Sequence, residues 1–481
     1  MEPTIERPER IPEPVWAHLT IEVKVLVVEL CEESRKLRAE VSELQAKVSQ
    51  NSSNSSLPPS SDRPWDKPKR KKRVRGGKRG GQKGHPPHVR QLVPPELVNV
   101  KDYHPTSCRH CGYEFEGGEE SSQPPIVEQK VELPQVAPEV TNHQFHSKTC
   151  PQCRRATRAE RPAGVPSGTF GPRVLALIAV LTVAYHLSKR QVKGLLNTVL
   201  GIDIGLGTLA GVQKVATAAL AQPVKEVQEA LKRCHVVGQD ETRWPIAGKN
   251  GYAWVAVSGP YGLYHIAQSR SGEVARSLLG GPDFKGYSLT DRYAAYTCYP
   301  MERRGLCHEH LKRDYKKIAD RSEKVRPLGE ALVQLEKDIF ASWHEFKDEK
   351  ITRRGLQLSL TEMVAPYEKL LVEGMNGDDP KVAGMCENIL KHRQAIWRFG
   401  WVEGMEPTNN ETEQAARLLV VLRKKCYGTQ SSAGATFVGH MATVFETCRR
   451  QARNVLGFVT DAMTAFIAGT PPPSLLVDDS T

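Results

Sequence analysis

Residues 236–244, VVGQDETRW, open the stretch whose reading decides the fold. An apolar start that turns polar at Gln239 and Asp240 reads as a strand closing on the acid Asp240. It is followed by YAWVAVS at 252–258 and GLYHIAQS at 262–269. Three β-prone runs joined by short Gly-containing turns predict an antiparallel meander. GEVARSLLG at 272–280 then has the spacing of a helix, and YSLTD at 287–291 is a fourth strand closing on Asp291. A fifth strand is expected at 303–307, RRGLC, after a short helix AAYTC. A meander, a helix and a further strand is the order of an RNase H-like fold, an α/β core with a mixed five-stranded sheet, and it brings Asp240 and Asp291 to neighbouring strand ends.

A third acid lies far along the chain, Glu413 in PTNNETEQAARLLVVLRKK, at a polar helix start. Asn409 and Asn410 stand one turn before it and Arg417 one turn after, where they would orient its carboxylate. Taken singly, an Asp at a strand end is a turn or cap residue, and a Glu early in a helix complements the dipole. Taken together, three carboxylates on rigid elements match what two-metal phosphoryl transfer needs, with two divalent cations about 4 Å apart. The expected ions are two Mg²⁺, with Mn²⁺ as a substitute, held by Asp240, Asp291 and Glu413. Between the second and third acids, residues 310–400 carry helical periodicity without strand signals and read as a helical insertion.

The rest of the chain points to a substrate. Lys and Arg number 67 against 55 Asp and Glu, and the excess is concentrated, which favours a polyanionic partner. KPKRKKRVRGGKRGGQKGH at 67–85 carries Lys69, Arg70, Lys71, Lys72, Arg73, Arg75, Lys78, Arg79 and Lys83 among Gly hinges. Such a segment would bind phosphates with a strong salt dependence. Arg417, Arg423 and Lys424, one to three turns past Glu413, would add grip on a DNA backbone.

CRHCG and CPQCR supply two CxxC pairs, Cys108 with Cys111 and Cys150 with Cys153. Four thiolates in two knuckles joined through β-prone sequence predict a zinc ribbon holding one structural Zn²⁺, and leave no open position for catalysis. His110 or His146 is an alternative ligand. Upstream, Val27, Leu30, Leu37, Val41, Leu44 and Val48 fill a and d positions of a short coiled coil, with self-association as its consequence and an amphipathic helix packed on its own domain as the alternative. Residues 49–66 are Ser, Asn and Pro rich and read as a flexible linker. Ser188 with Gln191 makes a capping box, and Thr208 is placed as the cap of a following helix, so that 166–231 reads as helix-turn-helix-like.

The expected domains are 1–48 helix or coiled coil, 49–66 linker, 67–90 basic Gly-rich segment, 91–165 zinc ribbon, and 166–231 helical region. Residues 232–309 and 401–468 form the two parts of the core around the 310–400 insertion, and 469–481 are a tail. The start of the chain lacks the basic and apolar regions of a secretory signal. The apolar run 174–187 is too short to span a bilayer. A cytoplasmic, nucleoid-associated protein with no membrane contact is expected.

With these residues in view, the chain resembles the DDE transposases of insertion-sequence family sixty-six. The likeness is carried by NSSNSSLPPSSD, GGQKGH, the paired CxxC motifs, GPRVLALIAVLTVAYHLSKRQVKGLL, DETRW, LTDRYAAY, CHEHLKRD and NNETEQAARLLVVLRKK. The resemblance implies an enzyme that cuts transposon ends and joins the 3′-hydroxyl to target DNA with two Mg²⁺ ions. It puts the family's acids on Asp240, Asp291 and Glu413, with Glu411 a nearby decoy. It further implies double-stranded DNA partners (terminal inverted repeats and target), a homodimer or higher oligomer, and companion proteins of the kind related elements encode. Cys307 and His310 match a CxxH element of similar enzymes, with His310 placed near the scissile phosphate. The chain departs from the family at Gln414, where Arg is usual, and at Arg292, where Gly is common. A non-catalytic DNA-binding regulator and an RNase H-like nuclease are the rival readings.

Overall fold

A computed structural model describes Pro8 and residues 12–49, 91–117, 123–134 and 136–477. The linker and the basic segment of residues 67–85 lie outside the described residues. The chain divides into two compact units, Lys69–Val140 with Val199–Gly201, and the remainder; each is described by itself.

Near the start, α1 (Glu13–Ala17) precedes the long helix α2 (Ile21–Val48). Leu30, Leu37, Val41, Leu44 and Val48 on α2 are exposed. A two-stranded hairpin follows, β1 (Ser147–Thr149) against β2 (Ala156–Arg158), with Lys148 opposite Thr157.

Three helices come next: α3 (Pro172–Val183), α4 (Lys189–Leu200) and α5 (Leu206–Leu231). The capping box opening α4 is formed. The Gln191 side-chain oxygen accepts the Ser188 N–H at 2.9 Å, and Ser188 Oγ accepts the Gln191 N–H at 3.3 Å. The cap expected at Thr208 is corrected: the cap position of α5 lies three residues earlier, at Gly205, which has no side chain to cap with. Thr208 is therefore a residue of the first helical turn.

The sheet has five strands: β3 (Val236–Arg243), β4 (Tyr252–Ser258), β5 (Tyr261–Ala267), β6 (Tyr287–Thr290) and β7 (Arg304–Leu306). Its spatial order is β5-β4-β3-β6-β7. β3, β4 and β5 are antiparallel, with Asp240 opposite Val255 and Val255 opposite Tyr264. β6 and β7 run parallel to β3, with Gly238 opposite Leu289 and Leu289 opposite Gly305. The crossover from β5 to β6 is α6 (Gly272–Leu279), which ends at Gly280 with φ 100°. Only glycine enters that region without strain. This mixed sheet with helices is the α/β core read from the sequence. The helix expected at AAYTC is a tighter 3₁₀ turn, Ala294–Cys298, and the fifth strand is one residue shorter at each end than RRGLC.

After β7 the chain is helical: α7 (His308–Ala319), α8 (Arg326–Lys347), α9 (Arg353–Met375), α10 (Pro380–Lys391) and α11 (Arg393–Ile396). Leu311, Tyr315, Leu332, Ile339, Leu356, Leu360, Tyr367, Leu371 and Ile389 are fully buried together, giving these helices a core of their own. The chain returns to the sheet with α12 (Asn410–Cys426), α13 (Ser432–Arg450) and α14 (Val455–Ala468). α13 solves the edge problem of β5: the hydroxyls of Thr443 and Thr447, one turn apart, accept the outward N–H groups of Tyr264 and Gly262 at 2.9 and 3.2 Å. Those two edge donors are thereby closed to another chain.

Candidate carboxylate site at the parallel strands

Asp240 lies within β3, and Asp291 is the residue just after β6. The register pairs Gly238 with Leu289, so Asp240 and Asp291 both stand two residues further along adjacent parallel strands. Asp291 is held by its own turn, its Oδ1 accepting the Tyr293 N–H at 2.8 Å. Glu413 is in the first turn of α12.

What brings α12 to the sheet is a glycine. A Cβ on Gly238 would lie 2.2 Å from Thr412 Oγ1 and 2.6 Å from Asn409 Oδ1, so the helix start can press on β3 only where a side chain is missing. Asn409, the residue before α12, is buried. Its Nδ2 donates to the Gln239 carbonyl at 2.7 Å, and its N–H donates to Cys307 Sγ at 3.3 Å. Asn409 thus ties α12 to β3 and to the end of β7, and its side chain does not cap the helix.

Gathering acids raises Asp240. Burial and then the charges of Glu241, Asp291 and Glu413 push its carboxyl up to about 8. An acid whose ionised form is resisted by like charges is relieved by a cation. Glu413 Oε1 faces His310 Nδ1 and Arg313 Nη2, each at 3.6 Å, too long for a hydrogen bond. Both Glu413 Oε1 and His310 Nδ1 are buried atoms without a hydrogen-bond partner. Burial and the Arg313 charge hold His310 below its usual value, and its Nε2 accepts from Arg313 Nη2 at 3.3 Å, so in the neutral ring Nδ1 carries the proton and faces Glu413. Among the described residues, Cys307, His310 and Glu413 form the group whose ligand atoms lie within 4.8 Å of one another. Its sulfur is a poor donor, because burial pushes the Cys307 thiol up to about 12.

The sequence reading missed Glu241. Its side chain is 2% exposed; it accepts from the Tyr296 hydroxyl and, at 3.1 Å, from Arg270 Nε. Burial and the Asp291 charge raise it, and Tyr296 and Arg270 oppose the rise. The signal was present in the DE dipeptide, since adjacent strand residues point to opposite faces and both faces of this strand are covered. Arg292 is also explained: its guanidinium donates to Asp314 of α7 and Asn388 of α10, so it ties the turn after Asp291 to the helical region. Gln414 is exposed, and no contact explains its choice there.

The other expected residues fall in several places. Asn410 is the first residue of α12. Arg417 and Lys424 are exposed. Arg423 bonds Thr242 Oγ1 at 3.0 Å and the Arg243 carbonyl, which commits its charge to the end of β3. Lys69, Arg70, Lys71, Lys72, Arg73, Arg75, Lys78, Arg79 and Lys83 lie outside the described residues.

The cysteine pairs are two tight turns. In the first, the Cys108 N–H bonds the Tyr113 carbonyl at 2.8 Å, and the Gly112 N–H returns to the Cys108 carbonyl at 3.0 Å. Backbone N–H groups of His110 and Cys111 hold the Cys108 thiol below its usual value. In the second, Cys150 bonds Arg155 and Arg154 bonds Cys150 in the same pattern, both at 2.9 Å, and N–H groups of Cys153 and Gln152 lower the Cys150 thiol. Each turn alone favours a thiolate, the form that metals bind.

An α/β sheet with a carboxylate cluster at the ends of its parallel strands, completed by a helix that returns after a long helical excursion, defines the class. The chain belongs to the transposase IS66 family, whose model matches residues 167–437, more than half of the chain. Residues 11–91 match a second family model, described as a family of unknown function. Two proteins of Sinorhizobium fredii are similar. Uncharacterized protein y4hP is 25% identical over 383 residues, covering 67% of this chain and 64% of that protein. Uncharacterized protein y4qI is 24% identical over 444 residues, covering 84% and 77%. The chain thus spans a little under two thirds of the length of the first relative. Among the described residues, no helix is long and apolar enough to cross a membrane.

Proposed function

We propose that the chain is a DNA transposase, with an RNase H-like core that cleaves element ends and joins the 3′-hydroxyl to target DNA. The observation that carries this is the convergence of acids on Asp240: burial first, then the charges of Glu241, Asp291 and Glu413, hold it up to about 8, beside a buried Glu413 Oε1 that has no hydrogen-bond partner. Oxygen donors of this kind suit Mg²⁺ or Mn²⁺. When bound, two such ions would supply activation of the attacking oxygen and stabilisation of the leaving oxygen. The three acids would hold them. Asn409 and Gly238 fix where Glu413 stands, and the Tyr293 N–H fixes Asp291. His310 would lie beside the reacting phosphate.

The four cysteines are proposed to hold a structural Zn²⁺. The thiolate-favouring turns at Cys108 and Cys150 support this, each by itself. The basic segment at 67–85, with the exposed Arg417 and Lys424, is proposed to bind the DNA backbone. The exposed apolar seam of α2 supports pairing of two or more copies through a short coiled coil. Companion proteins, a nucleoid location and the domain limits read from the sequence belong to the same proposal.

The deciding experiment uses purified full chain and a duplex carrying the element's terminal sequence. Mg²⁺-dependent cleavage and joining are expected. Asp240→Asn, Asp291→Asn and Glu413→Gln should each lower both by more than about 100-fold, beyond the cost of losing a supporting group, with DNA binding kept. Full strand transfer by any one variant would remove that residue from the site. Binding without cleavage by the unaltered chain would favour a regulator, and cleavage without joining a nuclease.

A further inference from the structure

Arg270 follows β5 and stands beside the acids, yet no part of the mechanism above uses it. Its Nε and Nη2 both donate to Glu241 Oε1, at 3.1 and 2.5 Å. Its guanidinium lies over the Tyr293 ring at 3.8 Å and within 5.6 Å of the Tyr252 ring. The Tyr293 hydroxyl donates back to the Arg270 carbonyl at 2.8 Å, while the Tyr293 N–H caps Asp291. One tyrosine therefore spaces the cation from the second acid.

The two ends of this ion pair differ in exposure. The Glu241 side chain is 2% exposed and that of Arg270 is 40%. A counterion serving only a buried carboxylate would gain by being buried with it, and Glu241 already accepts from the Tyr296 hydroxyl. Instead the guanidinium is fixed by one carboxylate oxygen and an aromatic face, and its Nη1 has no hydrogen-bond partner among the described residues. An arginine held in this way has already lost its side-chain freedom, so a phosphate meeting its open edge gains a charge-assisted bond at little further entropic cost.

We propose that Arg270 is a DNA-contacting residue, taking a backbone phosphodiester next to the one at the carboxylates and so setting the strand's register across the site. Glu241, Tyr293 and Tyr252 are its positioning residues. The proposal rests on the reading that the substrate is DNA, and it adds a contact that the basic segment and α12 do not provide.

The test measures binding of full-length protein to an end-sequence duplex by fluorescence anisotropy over a range of KCl, in EDTA, so that no chemistry is needed. Each phosphate neutralised contributes about 0.9 to the slope of log affinity against log salt. Arg270→Gln should make that slope shallower by about 0.9, while Arg270→Lys, which keeps the charge, and Glu241→Gln, which keeps the arginine, should retain it. An unchanged slope in Arg270→Gln overturns the proposal. So does recovery of the slope in the Arg270→Gln/Glu241→Gln double variant, since that would make neutralising Glu241 the whole role of the arginine. Loss of Mg²⁺-dependent cleavage and joining by the unaltered chain would end the transposase reading and leave this comparison still decisive for Arg270.

Discussion

His308 and His310 sit two residues apart in the first turn of α7 and meet opposite fates. His308 is fully buried in the helical region, its Nδ1 3.0 Å from Glu336 Oε2 and its Nε2 2.9 Å from the Ile396 carbonyl. Burial works against its charged form, but the Glu336 carboxylate outweighs it and raises the histidine. His310 faces the carboxylate site, where its Nδ1 and Glu413 Oε1 stand 3.6 Å apart with neither bonded. The first pair is an acid and a base closed on each other, with each ring nitrogen satisfied. The second leaves a carboxylate oxygen and a ring nitrogen unbonded and lets the acids repel. A protein interior tolerates unpaired groups poorly, so the contrast separates polar residues that hold the fold from those kept for something that arrives later.

The sharpest way to break this contrast is a matched pair of substitutions. Glu413→Gln should lower end cleavage by more than about 100-fold with a melting temperature unchanged or raised. Glu336→Gln should cost about 3 kcal/mol in urea unfolding, because it leaves His308 buried without its counter-charge. Activity would follow only through lost stability. If Glu413→Gln unfolds the chain and Glu336→Gln does not, the assignment of roles is reversed.

A second measurement uses pH. Asp240 is raised from 3.8 to about 8, so the folded metal-free chain binds a proton more tightly than the unfolded one. Its contribution to stability is fully present below about pH 4 and is lost as pH rises through about 8. The metal-free chain should therefore lose several kcal/mol over that window, as read by denaturant unfolding at fixed salt. Saturating Mg²⁺ should flatten the loss, since a cation replaces the proton, and Asp240→Asn should flatten it without metal. An equal slope in all three would place the titrating group elsewhere.

Smaller effects sharpen the same comparison. His310→Ala should reduce cleavage by about 10- to 100-fold, the range for a group that supports a metal ligand, and leave unfolding midpoints near those of the unaltered chain. A drop in midpoint without a change in rate would make His310 a packing residue like its neighbour. Gly238→Ala should cost about 1–3 kcal/mol of overpacking, because the new Cβ collides with Thr412 and Asn409. It should also slow cleavage by moving Glu413. Retained stability and rate would mean that α12 is not set by that contact.

Much of this was legible in the chain itself. The period-2 runs around Asp240, Val255 and Tyr264 gave the meander, and the short apolar run ending at Asp291 gave its parallel neighbour. The Ser188–Gln191 box formed as its spacing implied. What failed was local in origin. Thr208 looked like a cap, but the helix gained three residues by starting behind Gly205. AAYTC was too short to complete an α-helix and closed as a 3₁₀ turn. Glu241 was passed over because a second acid beside a first reads as a polar strand end, and only burial on its own face makes it a partner for Tyr296 and Arg270.

The sequence by itself determined the elements and their order, because strand and helix periods and turn chemistry are local properties of neighbouring residues. Only the tertiary structure decided which polar groups are satisfied. Asn409 bonding Gln239, Arg292 bonding α7 and α10, and His308 closing on Glu336 each join residues between 22 and 170 positions apart. Hydrogen bonds and charges act through space over a few ångströms, so no pattern along the chain can tell a histidine that is paired from one, two residues on, that is left open.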